Sequence, residues 1–382
     1  MNNLIDVVNF NADASCLPSD KWIDILKGGK ESHFYKWLEL YVSLKKKINL
    51  GIVGSSICDI NYYCPEAIDL IESNKSIFNI LIRPFSHDNS LIRTRDAFRI
   101  NLDYGVKVAK KFFSNTSSSF LPPEFMLLSE HIPILEDFNF SSVLVNPSRL
   151  PEYMSIKIPE VPFLVRGINS SSLACFPVAG KFTKEYLNSI HNYDFIRMNQ
   201  LISNKNNQIL WRDGESVFLV PDGVNREKRW LEAEVAKRSW LDDLNNINLK
   251  DDNFYTYPAH SFLAWMEEFK MFGYVNRINS LERDLMNFDI EQTLLWFQAI
   301  NSDVLSSIEK KDVSINIKSN PNSKNNNFTI TRTHRAFEGE EFLYFLEESI
   351  LGNREYLIKF LKELSPHAKK YISRYSVIKE LD

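Results

Sequence analysis

The sequence predicts an α/β fold: an irregular seven-stranded (β/α) barrel followed by a mainly helical C-terminal region with a β-hairpin. Three observations predict it. Short apolar runs alternate with amphipathic segments through the first two-thirds of the chain, at about seven repeats. Neither GxGxxG nor GxxxxGK[ST] follows any of the runs, so the nucleotide-binding signatures of open doubly wound sheets are missing. Beyond about residue 225 the alternation gives way to helical spacing. Alternating strands and helices with short connections imply a parallel sheet wrapped by helices.

Taken in order, the strand candidates are Leu4 to Phe10, Leu50 to Val53, Phe78 to Arg83, Ser119 to Leu121, Val143 to Val145, Val161 to Val165 and Ile209 to Trp211. His33 to Lys47 has apolar residues at helical spacing, Pro65 to Glu72 is a short helix with proline at its start, and Ala97 to Phe113 and Ser129 to Phe138 are further helices. In the C-terminal part Asn225 to Leu244, Ala259 to Met271 and Ile290 to Ile308 read as helices. Val313 to Ile317 and Phe328 to Thr331 alternate with period two and read as a hairpin, with two more helices to finish the chain. The division is a catalytic barrel over residues 1–250 and a helical region with the hairpin over 251–382.

The 382 residues are 44% hydrophobic and 25% charged, an ordinary globular composition. A formal net charge of −4 gives no general attraction to nucleic acid or anionic lipid. No apolar stretch approaches the roughly 20 residues of a membrane span, and Met1-Asn2-Asn3 lacks the basic start of a signal peptide. The four scattered cysteines, Cys16, Cys58, Cys64 and Cys175, read as reduced thiols. These features place the protein in the cytoplasm, with no nucleic-acid partner and with a homo-oligomer allowed.

In a β/α barrel the chemistry sits where the strands end. Those positions hold Asn11 and Asp13, His87 and Asp88, Glu124, and the run Trp211-Arg212-Asp213-Gly214-Glu215. Pro122 and Pro123 stiffen the approach to Glu124, which fits either a fixed catalytic carboxylate or a helix-start acid. Asp213 and Glu215 either project to one side of an extended segment or form an Asp-Gly turn before Val217 to Leu219. Two carboxylates from different strands are the minimal apparatus for glycoside hydrolysis. Asn11, Asp13 and His87 offer the competing use, a divalent metal site. Trp211 is a candidate for stacking on a sugar ring, while His260 opens a helix and reads more readily as a capping or packing group. Arg83, Arg93 and Arg212 are each either salt-bridge partners or anion ligands.

In order, these motifs resemble the glycoside hydrolase family 57 and polysaccharide-deacetylase superfamily of seven-stranded β/α barrels. Phe120-Leu121-Pro122-Pro123-Glu124 resembles its Trp-x-Pro-Glu segment, and Trp211-Arg212-Asp213-Gly214-Glu215 resembles its later Asp-x-Glu segment. Ile82-Arg83-Pro84-Phe85-Ser86-His87 resembles the segment ending in a substrate-facing His. The resemblance implies Glu124 as nucleophile and Asp213 as acid/base. It also implies a carbohydrate substrate, bound by Asn11, Asp13, His87, Asp88, Trp211, Arg212, Glu215 and His260. A glycosidase or transglycosidase of this kind needs no cofactor; the alternatives are a metal-dependent deacetylase-like hydrolase with a divalent metal on Asp13 and His87, or a noncatalytic sugar-binding protein on the same barrel. The chain departs from the family where Asn11-Ala12-Asp13-Ala14 stands in place of His-x-Pro-Tyr, and where the deacetylase Thr-Phe-Asp-Asp and His-x-x-x-His are missing.

Overall fold

The computed structural model describes residues 3–11, 19–146, 162–178, 180–203, 208–220, 222–244, 249, 254–256, 269–302, 313–318, 327–332, 337–352 and 376–381. Through residue 145 strands and helices alternate as expected: β1 (Asn3–Phe10), α1 (Ser19–Leu26), α2 (His33–Ser43), β2 (Ile48–Ile52), α3 (Gly54–Tyr63), α4 (Pro65–Ser73), β3 (Phe78–Ile82), α5 (Arg95–Phe112), β4 (Ser119–Phe120), α6 (Ile132–Asp137) and β5 (Ser142–Val145). Local chemistry sets their starts. Ser32 and Thr94 accept the backbone N–H groups of Tyr35 and Ala97, and Pro65 occupies the first turn of α4.

The order then continues as β6 (Phe163–Arg166), β7 (Ser172–Pro177), α7 (Gly180–His191), α8 (Phe195–Ser203), β8 (Gln208–Asp213), α9 (Ser216–Leu219) and α10 (Gly223–Ala233). The short β9 (Lys237–Arg238) and β10 (Phe254–Thr256) precede α11 (Phe269–Leu281) and α12 (Ile290–Ala299). Finally Val313–Lys318 and Asn327–Arg332 pair antiparallel as the hairpin, and Phe337–Ile350 is helical.

One sheet runs β3-β2-β1-β8, all parallel, with β9 against the start of β1. The other runs β10-β6-β7-β5-β4, parallel except where β6 meets β7. A parallel bridge between Ile80 and Thr116 joins them. Ile5 and Val7 of β1, Leu81 of β3, Leu144 of β5, Phe176 of β7 and Ile209 of β8 form one buried cluster, so the strands curl around a shared interior in a barrel-like α/β fold.

Two sequence readings are corrected here. The strand expected at Val161 to Val165 is β6, which runs antiparallel, and the next strand parallel to β5 is β7. The helix expected over Asn225 to Leu244 stops at Ala233. Arg238 pairs there with Asp6 and Glu234, drawing the chain along β1 as β9, and a 3-10 turn follows at Leu241–Leu244. Among the described residues Cys58, Cys64 and Cys175 are free and buried, and no helix is long and apolar enough to cross a membrane. Cys16 and most of the helix expected at Ala259 to Met271 lie outside the described residues.

Alternate residues sort the strands into layers. At the strand starts, Asn79 donates to Asn49 and to Asp242, and Ser117 also donates to Asp242, sealing that end. The apolar cluster fills the middle. On the outer face, Asp6 of β1 receives Arg212 at 3.1 Å and Arg238 at 2.7 Å, and Glu227 also pairs with Arg212, at 2.8 Å. Burial alone would raise the Asp6 carboxyl, but Arg212 and Arg238 together hold it below its ordinary value of 3.8.

Asp6→Ala removes the shared partner of two buried cations and is expected to cost about 3–5 kcal/mol in denaturant unfolding. Because the folded carboxyl titrates lower than the unfolded one, its contribution is present above pH 3.8 and is lost as pH falls below it. A loss under about 1 kcal/mol would show that the network does not hold the outer layer.

Candidate functional site

The polar layer at the strand ends is built by the same alternation as the core beneath it. Asn9 follows Ile5 and Val7 on β1, Arg83 follows Leu81 from β3, and Asp213 follows Ile209 and Trp211 on β8. Asn9 and Asp213 are register partners, and Asn9 Nδ2 donates to Asp213 Oδ1 at 2.9 Å. Arg83, 2% exposed, donates from Nη1 to Asn9 Oδ1 and from Nε to the Leu121 carbonyl at 3.3 Å. Its stem passes Gly51 of β2, where an added Cβ would lie 2.6 Å from Leu121 Cδ2 and 3.3 Å from Arg83 Cδ. That glycine leaves the space that lets a guanidinium enter the layer.

Three carboxylates gather electrostatically on that cation. Burial pushes Arg83 down to about 10, and Glu215, Glu124 and Asp213 act against the shift, so it stays charged at neutral pH. Asp213 is exposed, Glu124 half-buried and Glu215 buried. Glu124 and Asp213, from distant parts of the chain, thus both lie within electrostatic reach of Arg83, as does Glu215.

Glu124 and Phe125 both have left-handed backbone, with φ of 53° and 56°. Non-glycine residues hold such angles at a cost of about 1–3 kcal/mol, usually where surroundings impose them. The Pro122–Pro123 approach leads into this single turn, and no long helix starts there. The Asp213-Gly214-Glu215 segment is a turn as well. Glu215 folds back to accept the Asn11 N–H, Gly214 N–H donates to the Asn9 carbonyl at 2.7 Å, and Val217 to Leu219 lie in α9.

His87 is 3% exposed; its Nδ1 meets Ser302 Oγ at 2.8 Å, and its Nε2 has no partner among the described residues. Burial and, secondarily, the Arg83 charge hold it well below the ordinary histidine range, so the ring is neutral. Asp88 and Arg212 are engaged elsewhere. Arg212 alternates with Trp211 and Asp213 and pairs with Asp6 and Glu227 in the outer layer. Asp88 pairs with Arg93, which also pairs with Glu282 and so ties the loop after β3 to the C-terminal region. Trp211 packs edge-on to Phe125, centroids 5.1 Å apart. Asp13 and His260 lie outside the described residues. Among the described residues no group of three His, Cys, Asp or Glu is placed to hold a metal ion.

Sequence reading missed Asn9 and gave Arg83 only as one of several strand-end arginines. The signal was parity: each lies two residues beyond an interior apolar position.

No family model matches the sequence, and no curated protein matches it. Solved structures match in fold. A 4-alpha-glucanotransferase from Thermococcus litoralis aligns at a TM-score of 0.62 and 12% identity, over 82% of this chain and 61% of that one. The alpha-amylase AmyC from Thermotoga maritima gives 0.57 and 8%, over 97% and 96%. An exo-type maltose-forming amylase from Pyrococcus sp. ST04 gives 0.54 and 10%, over 79% and 68%. This chain spans about three-fifths of the glucanotransferase's length. The resemblance read from the motifs is therefore borne out as a likeness of fold.

Asp88 yields a prediction for this loop. Burial raises its carboxyl from 3.8 to about 6 against the pull of Arg93, whose charge Glu282 shares. A folded value above the unfolded one means that stability from this group is greatest below 3.8 and declines as pH rises toward 6. Asp88→Asn should flatten the stability profile between pH 4 and 6; an unchanged slope would contradict the assignment.

Proposed function

We propose that this chain is a glycosidase or transglycosidase. It acts on an oligosaccharide or surface-polysaccharide precursor at the open end of an irregular barrel whose seven parallel strands are β1 to β5, β7 and β8. What supports it most is that Glu124 and Asp213, from separate strand ends, both act by charge on the buried Arg83, with Asp213 also held by Asn9, the acceptor of Arg83. Glu124 is the nucleophile: its carboxylate attacks the anomeric carbon while the glycosidic C–O bond breaks. Exposed Asp213 gives its proton to the leaving oxygen, then takes one from the water or sugar hydroxyl that releases the glycosyl group. Water gives hydrolysis and a sugar hydroxyl gives transfer.

The surrounding groups suit these roles. With Asp213 protonated as the acid, Glu124 and Glu215 against the single Arg83 guanidinium still leave net negative charge to meet an oxocarbenium-like transition state. Asn9 fixes the direction of Asp213. Neutral His87, with Nε2 unpartnered, offers a hydrogen bond to a sugar hydroxyl. The names of the structures similar in fold make malto-oligosaccharides the first neutral substrates to test, beside acidic oligosaccharides.

Product formation from both substrate sets, followed by chromatography, tests the reading. Glu124→Gln and Asp213→Asn should each lower kcat about a thousandfold with native melting temperatures; near wild-type turnover in either overturns its role. Glu124→Gly should also abolish turnover. It relieves the left-handed strain, so stability should stay level or rise by up to about 1 kcal/mol. A clear loss would show the angle is not strained. Chelator should leave turnover unchanged; loss on chelation would favour a divalent ion at Asp13 and His87.

A further inference from the structure

Between α7, the end of β8 and the start of α10 lies a cavity of about 250 Å³. It is smaller than the roughly 300–1,000 Å³ of drug-sized pockets and suits a single ring. Its apolar wall includes Leu187, Ile190, Trp211 and Val217.

Arg226 forms part of the wall and is only 8% exposed. Its Nη2 donates to the His191 carbonyl at 3.0 Å, and its guanidinium lies 5.2 Å from the Tyr193 ring centroid. Nε has no hydrogen-bond partner, and among the described residues no carboxylate pairs with this side chain. The two acids of the wall are engaged: Glu227 with Arg212 at 2.8 Å, and Asp213 with Asn9. Arg226 and Gly223 both belong to the first turns of the eleven-residue α10, so the positive end of that helix borders the cavity too. A buried cation without a counter-ion is costly, and a guanidinium is best satisfied by a carboxylate or phosphate held bidentately.

We propose that this cavity binds an acidic sugar ring, a uronate or a sugar phosphate, with its anionic group on Arg226. As a subsite beside Asp213 the assignment rests on the glycosidase reading, and it then makes the substrate an acidic glycan. An apolar wall with Trp211 takes the ring, and Arg226 rejects neutral sugars by remaining unpaired when they bind.

Calorimetric titration of the full-length protein with glucuronate, glucose 6-phosphate, glucose and inorganic phosphate tests this. At least one acidic sugar should bind about tenfold more tightly than glucose and than phosphate, and Arg226→Gln should remove that margin. The wild-type comparison stands by itself if the variant does not fold. Equal affinity for neutral and acidic sugars overturns the proposal. So does a margin kept in folded Arg226→Gln, or phosphate binding as tightly as the tighter-binding acidic sugar. No turnover enters the measurement, so an acid-selective protein that cleaves nothing would refute the catalytic reading and leave this one standing.

Discussion

The constraint on which the site depends is the burial of one positive charge. Arg83 is itself buried within the polar layer at the strand ends, and a buried guanidinium needs acceptors and negative charge around it. Asn9 and the Leu121 carbonyl supply the acceptors, and Glu215, Glu124 and Asp213 supply the charge. Residues far apart in the chain are thereby bound into one arrangement. Gly51 makes room for the arginine stem, and Asn9 passes its orientation on to Asp213.

The two ends of the strands treat their polar groups differently. At the opposite end Asn49, Asn79, Ser117 and Asp242 satisfy one another. The outer face handles its ions likewise, with Asp6, Arg212, Glu227, Arg238 and Glu234 paired in a closed set. The Nε2 of His87, without a partner among the described residues, and the left-handed backbone of Glu124 lie at the ends of β3 and β4, although unpartnered buried atoms such as Trp22 Nε1 and His131 Nε2 occur elsewhere too. Incomplete hydrogen bonding and strain persist in folded proteins chiefly where a ligand completes them.

Much of this was legible in the sequence. The first five strands could be read because apolar runs are bounded by turn-forming residues, and Glu124 and Asp213 stood out as acids just beyond such runs. Facing was harder to read. Parallel strands buried on both faces carry no polar-apolar alternation, so Trp211-Arg212-Asp213 gave no sign that its middle residue faces the outer helices. Asn9 was hidden by the same effect in a strand whose polar Asp6 faces the other way. The true β7, Ser172–Pro177, was passed over because its serine and alanine lack the bulk of a typical strand. The left-handed turn at Glu124 had no local signal, because nothing in Pro-Pro-Glu-Phe demands positive φ.

In the proposed reaction Glu124 attacks the sugar while Asp213 handles the proton. Trapping the protein with an activated fluorosugar matched to its substrate, followed by peptide mass spectrometry, tests it most directly. A single glycosyl adduct on Glu124, absent in Glu124→Gln, is the result expected. An adduct on Asp213 or Glu215, or steady turnover with no adduct at all, would contradict it.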